Sequence, residues 1–128
     1  MGTQYLIDSN AAIDYLRGSL PAPGMAFMDG VVNDIPKVSI ITKIEVLGFS
    51  TTPAAYQILT GFFDDALVLD LTAAVAQKTI ELRMAHKIKL PDAIIAATAL
   101  VNGLGVASRN VSDFQKVPGL DVVDPHSV

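Results

Sequence analysis

Short apolar runs alternate with longer segments of helical character along this chain. The runs predict strands at residues 4–7, 37–41, 67–71, 105–108 and 121–123. The segments between them predict helices at 11–17, 25–32, from 42 onward, 53 to about 64, 72 to about 86, and 91–102. The strands are apolar without clean alternation, which is typical of a parallel sheet covered on both faces. The pattern therefore predicts an α/β fold.

Capping residues set the predicted helix boundaries. Ser9 and Asn10 can cap the first helix, which Gly18 stops, and Thr42 can cap the helix after the second strand. The segment 91–102 has Pro91 in its first turn and is apolar nearly all round. We therefore expect that helix to be buried.

Composition excludes several kinds of chemistry. The chain has no cysteine, so disulfides, thiolate metal ligands and a cysteine nucleophile are excluded. Its two histidines, His86 and His126, have no partner at a metal-ligand spacing, so we expect both to be structural surface residues. With 128 residues, we expect a single domain over 1–128, and with 51% apolar residues an oligomer interface beside the buried sheet. No secretion leader or membrane span is evident, which favours a cytoplasmic protein.

Acidic and amide residues recur where predicted strands end or helices begin. Asp8, Glu45 and Asn110 come shortly after strands, and Asp92 lies in the first turn of the apolar helix. The carboxyl ends of parallel strands meet at one edge of a sheet, where such folds bind ligands. Carboxylates gathered there favour a hard divalent cation such as Mg²⁺, and such a site suits phosphodiester hydrolysis by activated water.

Each of these residues also has a purely structural interpretation. Asp8 could form a turn or cap contact, and Thr42 with Glu45 fits a capping box. Asp92 could simply complement its helix dipole. The pair Asn110 and Asp113 could form only a turn. The remaining acids, Asp14 among them, are expected to be solvated, whereas Asp70 lies near the end of the third strand and could take part in a site.

Four segments together resemble the PIN domain, and within it the VapC-type toxins of toxin–antitoxin pairs. They are Leu6-Ile7-Asp8-Ser9-Asn10, the segment 39–48 around Glu45, the segment 90–99 around Asp92, and Ala107-Ser108-Arg109-Asn110-Val111-Ser112-Asp113-Phe114. The resemblance covers essentially the whole chain. It implies a three-layer α/β/α sandwich with a short parallel sheet of about five strands, and a ribonuclease that uses Mg²⁺ or Mn²⁺.

The resemblance also assigns roles to residues. Asp8, Glu45 and Asp92 match the family's metal-holding acids, and the fourth acidic position falls on Asn110, with Asp113 one turn further on. The catalytic residues implied are Asp8, Glu45, Asp92 and Asp113. Supporting roles, either beside the metal ligands or on a phosphate, are expected for Ser9, Asn10, Thr42, Asn110 and Arg109, and Lys43 is a further candidate for a phosphate contact.

The implied partners are an RNA substrate, a cognate antitoxin and a second copy of the chain. The net charge of −4 is the reverse of a basic nucleic-acid footprint, so long-range attraction of RNA should be weak. An antitoxin could place a basic side chain among the carboxylates.

Two alternatives remain at this stage. A phosphoacceptor receiver domain is also a small α/β fold with acids at strand ends, and there Asp70 would be phosphorylated, Asp8 would hold the metal and Ser108 would be the switch hydroxyl. An inactive PIN-like binding module is the other alternative.

Overall fold

A five-stranded parallel sheet forms the centre of the protein. The computed structural model describes residues 3–128. The strands are β1 (Tyr5–Ile7), β2 (Lys37–Ser39), β3 (Leu67–Leu69), β4 (Gly105–Ala107) and β5 (Val122–Val123). Their order is β3-β2-β1-β4-β5, and every pairing is parallel. The carboxyl end of β1 therefore lies between those of β2 and β4.

Helices occupy the connections between the strands. They are α1 (Ser9–Arg17), α2 (Ala22–Val32), α3 (Ile40–Leu47), α4 (Pro53–Asp65), α5 (Ala73–Ala85), α6 (Leu90–Val101) and α7 (Val111–Phe114). None of the helices in residues 3–128 is long and apolar enough to cross a membrane.

The sheet separates two apolar cores. Leu6 and Val106 pack in one core with the buried face of α6 and with Val75 of α5. Ile7 lies in the other core with residues of α1 to α4. Successive residues of a strand point to opposite faces, so β1 contributes to both. The predicted three-layer α/β/α sandwich is confirmed, as is the burial of α6 from Ala93 to Ala99.

The predicted start of α3 is wrong by two residues. The strand expected over 37–41 ends at Ser39, and α3 begins at Ile40. Ser39 is the N-cap, and its Oγ accepts a hydrogen bond from the backbone N–H of Ile41 at 3.1 Å. Thr42 is therefore inside the helix, and the capping-box interpretation of Thr42 and Glu45 is also wrong.

Smaller differences affect α1, α2, β3 and the chain after β4. Asp8 itself caps α1, so the expectation that Ser9 and Asn10 would serve as caps is wrong. Helix α2 begins at Ala22 rather than at residue 25, and β3 ends at Leu69 rather than at residue 71. The turn expected at Asn110 and Asp113 is the one-turn helix α7.

Candidate metal and phosphate site

Asp8 is a nearly buried carboxylate at the centre of the carboxyl edge of the sheet. Its residue is 5% exposed, and its backbone N–H continues the β1–β4 pairing by donating to the carbonyl of Ala107 at 3.0 Å. One carboxylate oxygen accepts the backbone N–H of Ser9 at 2.8 Å. The other accepts the hydroxyl of Ser108 at 2.7 Å. The cap role of Asp8 therefore does not exclude this carboxylate as a candidate metal ligand.

Ser108 and Asn10 tie Asp8 to the loop after β4. The amide of Asn10 donates to Asp8 Oδ2 at 3.3 Å and to Ser108 Oγ at 3.2 Å. Ser108 Oγ also accepts the backbone N–H of Asn110 at 3.0 Å. The side-chain oxygen Oδ1 of Asn10 accepts the backbone N–H of Arg109 at 2.9 Å. These bonds fix the loop relative to Asp8, which makes Ser108 a central residue of the site.

Asn110 links the carboxylates of Asp92 and Asp113. Its side-chain amide donates to Asp92 Oδ2 at 3.2 Å and to Asp113 Oδ2 at 3.0 Å. Asp113 also forms an ion pair with Lys116, with Nζ 3.2 Å from Oδ1. Asn110, which the resemblance was expected to place at the family's fourth acidic position, therefore bridges two acids, and Asp113 provides a negative charge close by.

Glu45 lies at the outer margin of the group. It is exposed on α3, and its Oε1 accepts the hydroxyl of Ser9 at 3.1 Å. It is close enough to Asp8 for its charge to raise the pKa of that carboxyl. The structure thus brings Glu45 near Asp8 through Ser9, while Asn110 links Asp92 to Asp113.

The pKa shifts show how closely the acids interact. Burial raises the pKa of Asp8, and Glu45 raises it further, against the hydrogen bonds from Ser108 and Ser9. Burial also raises the pKa of Asp92, followed by the negative charges of Asp8 and Asp113. Hydrogen bonds from Asn110 and Lys116 lower the pKa of Asp113. Two neighbouring carboxylates that resist ionisation together are a suitable place for a cation.

The donors present fit a hard divalent cation that keeps part of its water. Within residues 3–128, no three histidine, cysteine, aspartate or glutamate side chains are arranged to enclose a metal ion by themselves. Mg²⁺ is commonly held by one or two carboxylates together with water and substrate phosphate. Asp8 and Asp92 supply such a carboxylate pair, and every polar side-chain atom on them is oxygen. The site is therefore compatible with Mg²⁺ or Mn²⁺.

Thr42 has the one buried side-chain polar atom without a hydrogen-bond partner in the part of the chain that the structure describes, its Oγ1. Thr42 is fully buried in the first turn of α3, at the carboxyl end of β2. A buried hydroxyl without a partner loses its hydration at a cost of about 1–3 kcal/mol. This free hydroxyl is consistent with the supporting role expected for Thr42.

Asp14 was expected to be solvated, and that expectation is wrong. It is buried, and its Oδ2 lies 3.3 Å from Arg109 Nη1 and 2.9 Å from His126 Nε2. His126 is correspondingly half-buried and paired rather than a free surface residue. The sequence signal for Asp14 is its spacing of four residues from Asn10, which places both on one face of α1.

An apolar cavity of 570 Å³ begins beside the site. It is lined by Ser9, Asn10 and Glu45 at the site end, and by side chains of α1, α3, α4 and the connection between the last two, among them Ile13, Leu16, Val46, Phe49, Ile58 and Leu59. Arg17 and Arg109 also line it. Phe49 is 75% exposed and Ile58 59% exposed, so this surface is apolar and open.

Comparison with known families and structures identifies the fold. The family model of the PIN domain matches residues 5–120, which include all four acid-bearing segments. The chain belongs to the PIN-domain family. The resemblance that the sequence indicated is thereby confirmed, and the nucleases of this family generally use divalent metal ions.

Several solved structures resemble this chain over nearly its whole length. A chain of a toxin–antitoxin complex from Klebsiella pneumoniae is 28% identical, with a TM-score of 0.79, over 98% of this chain and 100% of that chain. DNA-bound VapBC from Salmonella typhimurium is 24% identical, with a TM-score of 0.79 and coverages of 97% and 99%. FitAcB from Neisseria gonorrhoeae is 21% identical, with a TM-score of 0.77 and coverages of 98% and 100%; these last two show the shared fold. No curated protein sequence matches the chain.

The strand order of this PIN domain argues against the receiver alternative. In the receiver-like order 2-1-3-4-5, the third strand lies beside the first. Here β2 separates β3 from β1, so Asp70 and Asp8 follow strands that are not neighbours. Asp70 is exposed beyond the edge strand and does not join the acids around Asp8.

Proposed function

We propose that this PIN domain is a divalent-metal-dependent endoribonuclease and the toxin of a toxin–antitoxin pair. The observation that carries the proposal is the junction of Asp8, Asp92 and Asp113, joined by Ser108 and Asn110 at one edge of the sheet. The similarity to a chain of the toxin–antitoxin complex from Klebsiella pneumoniae supports the toxin–antitoxin assignment.

In this proposal Asp8 and Asp92 hold Mg²⁺ or Mn²⁺, and Glu45 contributes through water or orients the attacking water. When bound, the cation supplies positive charge against the reacting phosphate and makes water more acidic. Ser108, Ser9 and Asn10 hold the Asp8 carboxylate in a single orientation. Asn110 holds Asp92 and Asp113 at a fixed separation. Arg109 is available for a phosphate contact. No nucleophilic side chain is needed, because water is the attacking group in hydrolysis.

Cleavage of a mixed pool of structured and single-stranded RNA tests the proposal. The parent protein is compared with Mg²⁺, with Mn²⁺ and with chelator, beside Asp92→Asn. Asp70→Asn is the matched control, because it removes one negative charge from an exposed residue outside the acid cluster. We expect metal-dependent cutting by the parent and Asp70→Asn, and loss of at least about 100-fold in Asp92→Asn. Equal cutting by Asp92→Asn would contradict the assigned site.

The antitoxin is proposed to occupy the apolar cavity beside the site. An amphipathic segment could place apolar side chains against Phe49 and Ile58 and a basic side chain near Glu45. Expression of the parent should arrest growth, and co-expression of the neighbouring gene's product should relieve the arrest. Phe49→Glu should keep the arrest and lose the relief. Relief that survives Phe49→Glu would place the antitoxin elsewhere.

A further inference from the structure

Two residues on one face of α1 hold Arg109. The side-chain oxygen Oδ1 of Asn10 accepts the backbone N–H of Arg109 at 2.9 Å, and the carboxylate of Asp14 accepts a hydrogen bond from its guanidinium Nη1 at 3.3 Å. Asn10 and Asp14 are one helical turn apart, so both contacts come from the same surface of the helix. The backbone and the side chain of Arg109 are therefore fixed together.

Asp14 is itself held by the C-terminal segment. Its side chain is 12% exposed, and the second partner of its Oδ2 is His126 Nε2 at 2.9 Å. Asp124 stabilises the turn that presents this histidine, because its Oδ1 accepts the backbone N–H of His126 at 2.9 Å. A buried carboxylate needs such partners to remain in place.

The segment around His126 packs tightly against α2. Pro125 is buried, and a Cβ added at Gly24 would lie 1.8 Å from the carbonyl oxygen of Pro125. Only glycine permits this approach. The position of His126 is therefore determined by packing as well as by its hydrogen bond to Asp14.

Arg109 stands at the rim of the acid group with most of its guanidinium free. Its side chain is 58% exposed, and Asp14 occupies one of its five N–H donors. Asn10, which fixes its backbone, also donates to Asp8, and the next residue, Asn110, donates to Asp92. Arg109 lines the same cavity as Ser9 and Glu45. A planar guanidinium held in this place suits a phosphate oxygen pair.

We propose that Asp14, held by His126, is a positioning residue that orients Arg109 toward a phosphate of the bound RNA next to the cleaved one. This inference rests on the proposed ribonuclease function. An acidic protein gains little from general attraction of RNA, so a cation with a fixed orientation has a larger share in binding.

A double-mutant cycle tests whether Asp14 acts through Arg109. Binding of a single-stranded RNA pool is measured in chelator at several salt concentrations for the parent, Asp14→Asn, Arg109→Ala and the double variant. We expect Arg109→Ala to reduce the slope of log affinity against log salt by about 0.7, the value for one phosphate contact on a single strand. Asp14→Asn should weaken binding several-fold in the parent and leave it unchanged in the Arg109→Ala background. An unchanged or tighter affinity of Asp14→Asn, or an equal loss in both backgrounds, would overturn the inference.

His126 gives a second test that leaves the buried carboxylate intact. His126→Gln retains an N–H donor of similar reach, whereas His126→Ala has none. We expect weaker RNA binding for His126→Ala and near-parent binding for His126→Gln. The melting temperatures of both variants are measured in the same buffer to show that they are folded. Equal binding by the parent and both variants would remove His126 from the arrangement.

Cleavage assays separate this inference from the proposed function. A parent that cleaves RNA, with Asp14→Asn indistinguishable in KM and kcat, would overturn the positioning role alone. A parent that binds RNA through Arg109 with the expected dependence on Asp14, yet cuts nothing with either metal, would support the positioning role and overturn the nuclease. Asp14→Asn with raised KM and little changed kcat supports both.

Discussion

Asp8 illustrates how one residue can serve folding and chemistry together. Its side chain caps α1 through the N–H of Ser9, and its burial raises its own pKa. Ser108 and Asn10 offset that burial by donating hydrogen bonds to the same carboxylate. Helix capping by Asp8 does not require a second acid nearby. The negative charge of Asp92 close to Asp8 is therefore better evidence for a functional site than the position of Asp8 alone.

At Asp92, the metal-free protein should gain stability when the charge is removed. Asp92→Asn keeps an oxygen that can accept the hydrogen bond from Asn110 and eliminates repulsion by Asp8 and Asp113. We expect an increase of no more than about 1 kcal/mol in chelator, because solvent screens this partly exposed group. Mg²⁺ or Mn²⁺ at 100 times its Kd should stabilise the parent by about 2.7 kcal/mol and so raise its melting temperature. The melting temperature of Asp92→Asn should rise much less. Equal metal stabilisation of both proteins would contradict the ligand role.

The pH dependence at Asp92 has a definite sign. Its folded-state pKa lies above the ordinary value of 3.8, so the folded state binds the proton more tightly than the unfolded state does. This contribution to stability is present below pH 3.8 and is lost as pH rises through the folded-state pKa. Urea unfolding in chelator should therefore show Asp92→Asn gaining on the parent as pH rises through that interval. The comparison with the variant cancels the titrating groups that do not interact with Asp92, and a difference independent of pH would count against the raised pKa.

At the scale of elements, the start of α3 shows where sequence reasoning succeeds and where it does not. Strand β2, helix α3 and the position of Glu45 after the strand were all expected, because periodicity and cap residues are local signals. Both Ser39 and Thr42 are good caps by type, and the sequence does not choose between them. The last pair between β2 and β3 joins Ser39 to Leu69, which is 30 positions away along the chain, so the extent of the strand depends on a contact that is not local.

The role of Asp14 could not be read from the sequence for the same reason. Its two partners lie 95 and 112 positions away along the chain. Local pattern describes Asp14 only as a polar residue on an amphipathic helix. Asp8 and Asp92 were accessible to prediction because each adjoins an element boundary that topology brings to the same edge.

Helix α2 offers a matched pair of glycine substitutions. Gly24→Ala would place a Cβ against the carbonyl of Pro125, which displaces the segment that carries His126, and we expect a loss of about 1–3 kcal/mol. Gly30→Ala in the same helix meets nothing within 4 Å and should stabilise by about 0.5–1 kcal/mol. Thermal unfolding of the two variants measures both. A stable Gly24→Ala with unchanged RNA binding would show that the C-terminal segment tolerates displacement.

At the scale of the whole molecule, strand order determines which predicted residues meet. The sequence indicates parallel strands but does not state their order, so a site shared by Asp8 and Asp70 remained open. The observed order places β1 between β2 and β4, which gathers Asp8, α3 and the loop after β4, and leaves Asp70 at the edge. The strand order thus brings together residues that were already candidates from the sequence.

Self-association is the property of the whole molecule that remains as a prediction. Ile80 and Met84 are 53% and 83% exposed and lie four residues apart on α5, so they share one face of that helix. Covering such an exposed apolar face is favourable, and a second copy of this chain, with its 51% apolar residues, would cover it symmetrically.

We expect the parent to sediment as a dimer and Met84→Glu to sediment as a monomer at the same concentration. Phe49→Glu, an equivalent change at the exposed apolar surface beside the acid cluster, should remain dimeric. A monomeric Phe49→Glu together with a dimeric Met84→Glu would instead place the interface at the cavity beside the candidate site, where a second copy would compete with the proposed antitoxin for Phe49.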